Sequence, residues 1–326
     1  MIKKVKTDRY SMLFNQRTGM EILQGINGNP DPFVLEYPSM LDIGIMGHCR
    51  NKCEFCYQGD VSEPNMSLGL FKRIIDESKD FTNQCALGGR GDPNHHEHFE
   101  EILKYARENN IVPNYTTSGN GLTQEHIDIS KEYCGAVAVS EYNQPYTRSA
   151  IKNLVESEVK TNIHFVYIHS KHYDVMQIFK GKSRYEKDNI NAVIFLLFKP
   201  QGRGKNLDYS PYNYQFEEFA EAIKDPKCSV KIGMDSCLVN KVSSVRELSA
   251  AEKIFADTCE GARMSCYISP TGELMPCSFG NHKECGIDIV NHSIKDQWTI
   301  SPPFKMFRYS LERQPNMCPL EAEGWL

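Results

Sequence analysis

Cys49-Arg-Asn-Lys-Cys53-Glu-Phe-Cys56 is the stretch of this sequence that says most about its fold and chemistry. It directly follows residues 41–46, an apolar run that predicts a buried strand. Three thiolates on one short loop can converge on a single face. Structural zinc takes four protein ligands, whereas a four-iron cluster can be held by three cysteines with one iron left open. A zinc site with His48 as a further ligand is the alternative.

The sequence after this loop alternates between strands and helices. Apolar runs predict strands at residues 41–46, 85–88, 111–116, 136–140, 163–168 and 192–198. Apolar residues at helical spacing predict helices at residues 68–78, 99–108, 124–133, 146–156, 173–179 and 214–223. Such alternation predicts a parallel sheet covered by helices. Six units fall short of the eight of a closed barrel, so we expect an α/β fold with a partial (β/α)6 TIM-like barrel.

The segments on either side of the alternating region predict two smaller units. Residues 1–40 form an N-terminal extension with a hairpin around Arg17-Thr18-Gly19 and a loop. The barrel spans residues 41–232. Residues 233–326 predict a small cysteine-rich domain of β-hairpin and helix, with the hairpin turn at Pro270-Thr271-Gly272. Its apolar sequence is too sparse for a good core, so we expect metal ligation to stabilise it.

Composition and charge exclude several classes of function. The chain has 326 residues, of which 40% are hydrophobic and 24% charged, as in an ordinary globular protein. A net charge of −5 provides no overall attraction to nucleic acid or anionic membrane. The longest apolar run, residues 192–198, is far shorter than the ~18 residues that span a bilayer. The first residues lack the apolar segment of a secretory signal, so we expect a cytoplasmic protein with no nucleic-acid or membrane partner.

Twelve cysteines are an unusual number for such a chain. Disulfide frameworks belong to small secreted domains without a core, and this chain is long enough to bury one. In a reducing cytosol, clustered cysteines more often hold metal. Besides the first group, a second group lies in the last quarter of the chain: Cys237, Cys259, Cys266, Cys277, Cys285 and Cys318. This distribution supports metal binding.

The spacing C-x3-C-x-aromatic-C, with Phe55 in the aromatic position, resembles the signature of the radical S-adenosylmethionine superfamily. The resemblance implies that Cys49, Cys53 and Cys56 hold a four-iron, four-sulfur cluster whose fourth iron is chelated by S-adenosylmethionine. It also implies an electron donor such as flavodoxin or ferredoxin. In this family, electron transfer from the cluster cleaves the cofactor to a 5′-deoxyadenosyl radical, which abstracts a hydrogen atom from the substrate.

Further segments at the ends of predicted strands resemble the cofactor-binding segments of this family. Gly88-Gly89-Arg90-Gly91-Asp92-Pro93 resembles the family's Gly-Gly-Glu-Pro segment, although Arg90 replaces a usual glycine and Asp92 a glutamate. Glycines let backbone carbonyls approach a cationic ammonium, and a carboxylate adds charge. A simple turn between strand and helix is the alternative. The resemblance implies cofactor contacts by Phe55, Gly88, Gly89, Gly91, Asp92, Thr117, Ser118 and Ser140.

The C-terminal region carries a second resemblance. Cys259-x12-Gly272-x4-Cys277 resembles the opening of the SPASM and twitch domains, which add auxiliary iron–sulfur clusters to the partial barrel. The longer run of closely spaced cysteines of a full SPASM domain is missing, so we expect one auxiliary four-iron cluster. Its expected ligands are Cys237, Cys259, Cys277 and Cys318. Cys266 lies in a predicted strand as a small apolar residue, Cys285 is the reserve ligand, and structural zinc is the alternative.

Together these resemblances cover about residues 41–318 and imply a radical S-adenosylmethionine enzyme. Members with such C-terminal domains often modify peptides, so we expect modification of a peptide or protein by dehydrogenation, cross-linking or epimerisation. The first 40 residues show no separate domain for binding a leader peptide, which leaves a small-molecule substrate as the alternative. A zinc-stabilised binding protein without catalytic activity is the alternative from another class.

Overall fold

The computed structural model describes residues 1–60, 62–246, 249 and 258–325, and it begins with a small antiparallel sheet. The strands of this sheet, paired in this order, are β1 (Ile2–Lys6), β2 (Tyr10–Asn15) and β3 (Glu21–Gly25). The hairpin expected around Arg17-Thr18-Gly19 is therefore present as β2 and β3. β1 was not predicted from the sequence, and it pairs with β2 from Ile2 opposite Asn15 onward.

A parallel sheet of seven strands forms the centre of the molecule. Its strands are β4 (Met40–Met46), β5 (Gln84–Gly89), β6 (Val112–Thr117), β7 (Val137–Ser140), β8 (Thr161–Tyr167), β9 (Ala192–Leu197) and β10 (Lys231–Met234). Each strand pairs in parallel with the next one along the chain. Side chains such as those of Ile43, Val139 and Ile163 are fully buried in the core that these strands share with the helices.

Helices connect successive strands of this sheet. They are α1 (Leu68–Ser78), α2 (Phe99–Glu108), α3 (Gln124–Tyr133), α4 (Pro145–Glu156), α5 (His172–Phe179) and α6 (Asn213–Ala222). At the start of α1, the Ser67 hydroxyl accepts a hydrogen bond from the Leu70 amide at 3.2 Å, which caps the first turn. Phe71, Ile74 and Ile75 are buried on the inner side of the same helix. All six predicted strand–helix units are present, which confirms the expected α/β architecture.

The sheet continues past the position at which we expected the barrel to end. β10 crosses residue 232 and is followed by α7 (Ser236–Val245). The sequence does not predict β10, because this strand has only four residues and contains Gly233, which weakens strand propensity. The division of the chain into units at residues 40 and 232 stays a prediction.

The C-terminal region extends the opposite edge of the same sheet. Its strands are β11 (Ser265–Ile268), β12 (Glu273–Met275) and β13 (Ile287–Asp288). β11 runs parallel to β4, with Ser265 opposite Met40. β11 and β12 form the predicted hairpin around Pro270-Thr271-Gly272, and β13 pairs with β12. One ten-stranded sheet therefore joins the barrel to the cysteine-rich region.

Short helices complete the C-terminal region and bury an aromatic core. They are α8 (His282–Cys285), α9 (Ile294–Ile300), α10 (Pro302–Arg313) and α11 (Pro319–Ala322). Trp298, Phe304 and Phe307 are each at most 1% exposed, and the Trp298 indole donates a hydrogen bond to the Leu35 carbonyl at 2.9 Å. The expectation of a poor core was wrong, because apolar residues that are scattered in sequence converge in space. No helix in the described ranges has the length and apolar character needed to cross a bilayer.

The turn between β2 and β3 lies against the amino-terminal ends of the barrel strands. Residues 16–19 help to line a cavity of about 310 Å³, together with polar side chains such as Asn114, Asn162 and His164. Lys160 donates a hydrogen bond to the Thr18 carbonyl at 3.1 Å. The N-terminal sheet therefore covers the end of the barrel that lies opposite the cysteine loop.

Candidate functional site

The first cysteine group lies on the loop between β4 and α1, at the carboxyl end of β4. Cys49 is exposed, whereas Cys53 and Cys56 are half-buried. The three thiols are close enough to one another to interact electrostatically. Burial raises the pKa of Cys49 and of Cys53. The Cys56 amide donates to the Cys53 carbonyl at 3.2 Å, which folds the loop back on itself. The structure therefore brings the three cysteines together at the sheet edge where such folds place their chemistry.

Arg203, in the segment after β9, holds the backbone of this loop. Its guanidinium donates to the Cys53 carbonyl at 2.9 Å, and its amide donates to the Cys56 carbonyl at 2.9 Å. Gly202 permits this close approach, since a Cβ there would lie 2.3 Å from the carbonyl oxygen of Tyr57. The sequence did not indicate this contact of Arg203 with the cysteine loop, because Arg203 and Cys53 lie 150 positions apart.

The segment Gly88-Gly89-Arg90-Gly91-Asp92-Pro93 passes directly beside the cysteine loop. Gly91 has a φ of +77°, and a Cβ there would lie 2.4 Å from the carbonyl oxygen of His48. Gly89 has a φ of +90°, and a Cβ there would lie 2.7 Å from the Cα of Gly44. Gly88 faces open space. Glycine at positions 89 and 91 therefore lets this turn lie against both β4 and the loop.

Asp92 ends this turn and connects three segments of the site. Its carboxylate, which is buried, accepts hydrogen bonds from the backbone amide and the hydroxyl of Ser118, each at 2.6 Å. Asn51, between the first two cysteines, donates to the same carboxylate at 3.0 Å. The hydroxyl of Thr117 donates instead to Asn94 at 2.9 Å. Asp92 thus holds the cysteine loop, the turn after β5 and the end of β6 together, and its contact with the cofactor stays a prediction.

Tyr142 contacts two of the expected cofactor residues beside the cysteine loop. Its ring stacks on Phe55 with the centroids 5.4 Å apart. Its hydroxyl is hydrogen-bonded to Cys53 and to Ser140, and burial raises its pKa well above the usual range. Sequence reasoning missed Tyr142 because a single tyrosine after a strand matches no motif. The aromatic position of the cysteine motif therefore has a packing partner from the end of β7.

Four cysteines of the second group also converge. They are Cys237 in α7, Cys259, Cys277 after β12 and Cys318 before α11. The Cys277 thiol lies within electrostatic reach of the other three, and burial raises its pKa well above the usual range. Cys237 and Cys259 in turn each lie within reach of Cys318. These are the four residues expected from the sequence as auxiliary ligands.

The remaining cysteines of the second group lie elsewhere. Cys266 is buried in β11, where its electrostatic neighbours are Asp42 and Arg308. Cys285 is buried in α8, and its thiol donates to the Asn281 carbonyl at 3.1 Å. Both thiols behave as small buried side chains in this structure.

A half-buried carboxyl group connects the two cysteine groups. Asp42 on β4 is hydrogen-bonded to Ser278, the neighbour of Cys277, and burial raises the pKa of Asp42 to about 7. Tyr57, the neighbour of Cys56, is hydrogen-bonded to Ser278 and lies within electrostatic reach of Asp42. Asp42, Tyr57 and Ser278 therefore form a polar connection from one cysteine group to the other. A lone aspartate inside an apolar strand offers no motif by which the sequence could have indicated it.

Several solved structures share this architecture. Streptococcus suis SuiB bound to S-adenosylmethionine matches with a TM-score of 0.73 at 14% identity, covering 94% of this chain and 89% of that chain. SuiB bound to the precursor peptide SuiA gives 0.71 at 13% identity, covering 94% and 90%. AnSMEcpe with bound AdoMet gives 0.61 at 16% identity, covering 82% of each chain. The chain has the fold of the radical S-adenosylmethionine enzymes.

The radical S-adenosylmethionine fold confirms the partial barrel that the sequence predicted. By sequence, the chain is 26% identical over 91 residues to the tungsten-containing aldehyde ferredoxin oxidoreductase cofactor-modifying protein of Pyrococcus furiosus. This match covers 27% of the chain and spans only 26% of that relative's length. The sequence profiles of known protein families give no match.

The two cysteine groups fit the clusters expected for a radical S-adenosylmethionine fold. Three thiols on one loop can hold a four-iron cluster with one iron open, and four thiols can hold a closed one. The thiolates that bind such a cluster lie farther apart than the ligands of a single metal ion. Within the described ranges, no group of three or more His, Cys, Asp and Glu side chains is arranged to hold a single metal ion.

Proposed function

We propose that this protein is a radical S-adenosylmethionine enzyme that modifies a peptide or protein. One observation carries the proposal: Cys49, Cys53 and Cys56 lie close together at the carboxyl end of β4. The fold in which they do so is similar to that of SuiB bound to S-adenosylmethionine. A four-iron cluster on these thiolates, together with S-adenosylmethionine, supplies hydrogen-atom abstraction from a substrate. A reduced flavodoxin or ferredoxin is the expected electron donor, and the free thiols suit a reducing compartment such as the cytoplasm.

The residues around the first cysteine group have distinct tasks in this proposal. The turn containing Gly89 and Gly91 presents backbone carbonyls that can accept hydrogen bonds from the amino group of S-adenosylmethionine. Asp92 adds negative charge beside that group and holds Asn51 and Ser118 in place. Together these residues would bind and orient the cofactor.

The second cysteine group supports an auxiliary cluster with no open iron. The proposed ligands are Cys237, Cys259, Cys277 and Cys318, which the fold brings together. Four thiolates close a four-iron cluster, which favours electron transfer over direct substrate binding. Polar contacts connect it to the first group, because Ser278, the neighbour of Cys277, is hydrogen-bonded to Asp42 and to Tyr57, the neighbour of Cys56.

A peptide substrate is supported by the structures that share the fold. SuiB is bound to the precursor peptide SuiA, and anSMEcpe has been crystallised with AdoMet and the Cp18Cys or Kp18Cys peptide. These structures cover more than four-fifths of this chain. The proposal therefore extends a peptide-binding role from two proteins of this fold to this one.

Iron counting tests the cluster assignment. Anaerobically reconstituted protein should contain about eight irons per chain, four for each cluster. Replacing Cys49, Cys53 and Cys56 with Ala should leave about four irons and abolish reductive cleavage of S-adenosylmethionine. Cys228→Ala is the matched control, since this half-buried thiol belongs to neither group and should leave iron and cleavage unchanged. Unchanged iron in the triple variant would contradict the first cluster, and a colourless protein that contains zinc would favour a zinc-stabilised binding protein.

Protease treatment of a cell extract tests the substrate class. A peptide substrate in the extract should stimulate release of 5′-deoxyadenosine by the reconstituted enzyme, and its prior digestion with a broad protease should remove this stimulation. The protease is inactivated before the enzyme is added, and an extract digested with inactivated protease is the control. Stimulation that survives digestion would contradict a peptide substrate and indicate a small molecule.

A further inference from the structure

Lys199, which follows β9, places its ammonium group at the second cysteine group. The residue is half-buried overall, and the ammonium lies 4.8 Å from the ring centroid of Phe279. It is hydrogen-bonded to the Cys237 thiol and lies within electrostatic reach of Cys277. A cation from the barrel therefore faces the thiols of the C-terminal region.

The ammonium of Lys199 is a positive charge next to the cysteine group. Its neighbours are the thiols of Cys237 and Cys277 and the carboxylate of Asp235. The Asp235 carboxylate is also occupied by the backbone amides of Leu238 at 2.8 Å and Leu197 at 3.2 Å. Lys199 therefore brings a cation, with Asp235 nearby, to the thiols of the second cysteine group.

We propose that Lys199 is a positioning residue that supplies a fixed positive charge to the auxiliary site and raises the reduction potential of the cluster bound there. The inference rests on the proposed function for the presence of that cluster. Reduction adds negative charge to a centre that four thiolates already make anionic. A nearby cation stabilises the reduced form, and net charge and hydrogen bonds to the sulfurs are known determinants of such potentials.

The experiment isolates the auxiliary cluster by using the full chain with Cys49, Cys53 and Cys56 replaced by Ala. In this background, potentiometric titration followed by electron paramagnetic resonance measures the midpoint potential of the remaining cluster. Lys199→Met keeps the length of the side chain without its charge and should shift the midpoint to more negative values. Lys199→Arg keeps the charge, so its midpoint potential should stay close to that of the protein in which only the three cysteines are replaced. Lys241→Met is the matched control, because this lysine is exposed on the same helix as Cys237.

Each outcome decides the role of Lys199. An unchanged midpoint in Lys199→Met with full iron content would overturn the proposal and leave the auxiliary cluster intact. Loss of iron in Lys199→Met alone would show that the charge is needed for cluster assembly rather than for setting the potential, and would overturn the proposal. Loss of iron in both Lys199 variants would mean that shape matters rather than charge, and the proposal would fall. If the protein with only the three alanine replacements contains no iron, the auxiliary cluster is contradicted. The proposed role of Lys199 then falls as well.

Discussion

At the scale of single residues, Asp92 stabilises the protein before any cofactor binds. Its carboxylate accepts hydrogen bonds from Asn51 and twice from Ser118. Hydrogen bonds to charged groups contribute about 1.5–3 kcal/mol, so Asp92→Asn should lower the free energy of unfolding by that order. Urea denaturation without S-adenosylmethionine measures this loss. Asp128→Asn, an exposed position on α3, should change stability by less than about 0.5 kcal/mol.

The same substitution tests whether Asp92 also contacts the cofactor. If its carboxylate pairs with the amino group of S-adenosylmethionine, Asp92→Asn should weaken cofactor binding by about one to two orders of magnitude. Titration calorimetry on reconstituted protein measures this affinity, and the iron content shows that the first cluster is still assembled. Equal affinities in the parent and the variant would leave Asp92 with a structural role alone.

Asp42 should make stability depend on pH. Burial raises its pKa from an ordinary value of 3.8 to about 7 in the folded protein. The folded state therefore holds this proton more tightly than the unfolded chain. The resulting stabilisation is complete below about pH 4 and is lost as the pH rises through about 7. Asp42→Asn cannot ionise, so its unfolding free energy should not show this loss, which amounts to on the order of 1 kcal/mol per pH unit.

Urea unfolding at several pH values between 4 and 8 measures this difference. The exposed Asp225, changed to Asn, is the control and should keep the pH dependence of the parent. Parallel pH profiles for the parent and Asp42→Asn would contradict the raised pKa of the Asp42 carboxyl group.

At the scale of elements, the turn after β5 and the cysteine loop depend on each other's backbone. Gly91→Ala would combine a positive φ with a Cβ 2.4 Å from the His48 carbonyl oxygen, so the cysteine loop has to shift. Gly28→Ala is the matched control, because its φ of +79° is similar and a Cβ there meets nothing within 4 Å. Both variants should lose about 1–2 kcal/mol of stability from backbone strain. Only Gly91→Ala should also lose iron from the first cluster, and equal iron contents would contradict this coupling.

At the scale of the whole molecule, the shared sheet and core should keep the C-terminal region folded when the second cysteine group is broken. Cys259→Ala should lose about four irons, yet limited proteolysis should leave residues 265–325 protected, because β11 pairs with β4 and the aromatic core remains. Trp298→Ala removes a fully buried indole and should cost about 3–5 kcal/mol. It should therefore expose the region to protease. Rapid digestion of Cys259→Ala after about residue 232 would show instead that ligation stabilises the region, as the sequence alone suggested.

Local sequence determined the strand–helix order of the barrel and the spacing of the first cysteine group. Both are short-range properties: strands and helices follow the spacing of neighbouring apolar residues, and one loop carries Cys49, Cys53 and Cys56. The choice of Cys237, Cys259, Cys277 and Cys318 came from a family resemblance, and these four residues converge in the structure.

How these parts contact one another depends on the three-dimensional path of the whole chain. Three contacts join positions that are far apart in the chain. β11 pairs with β4, Arg203 is hydrogen-bonded to the cysteine loop, and the ammonium of Lys199 lies at the second cysteine group. Such contacts produce no periodicity and no motif, since each depends on the path of the whole backbone. Asp42 shows the same dependence: burial, which only folding produces, raises its pKa, and its hydrogen-bond partner Ser278 lies far along the chain.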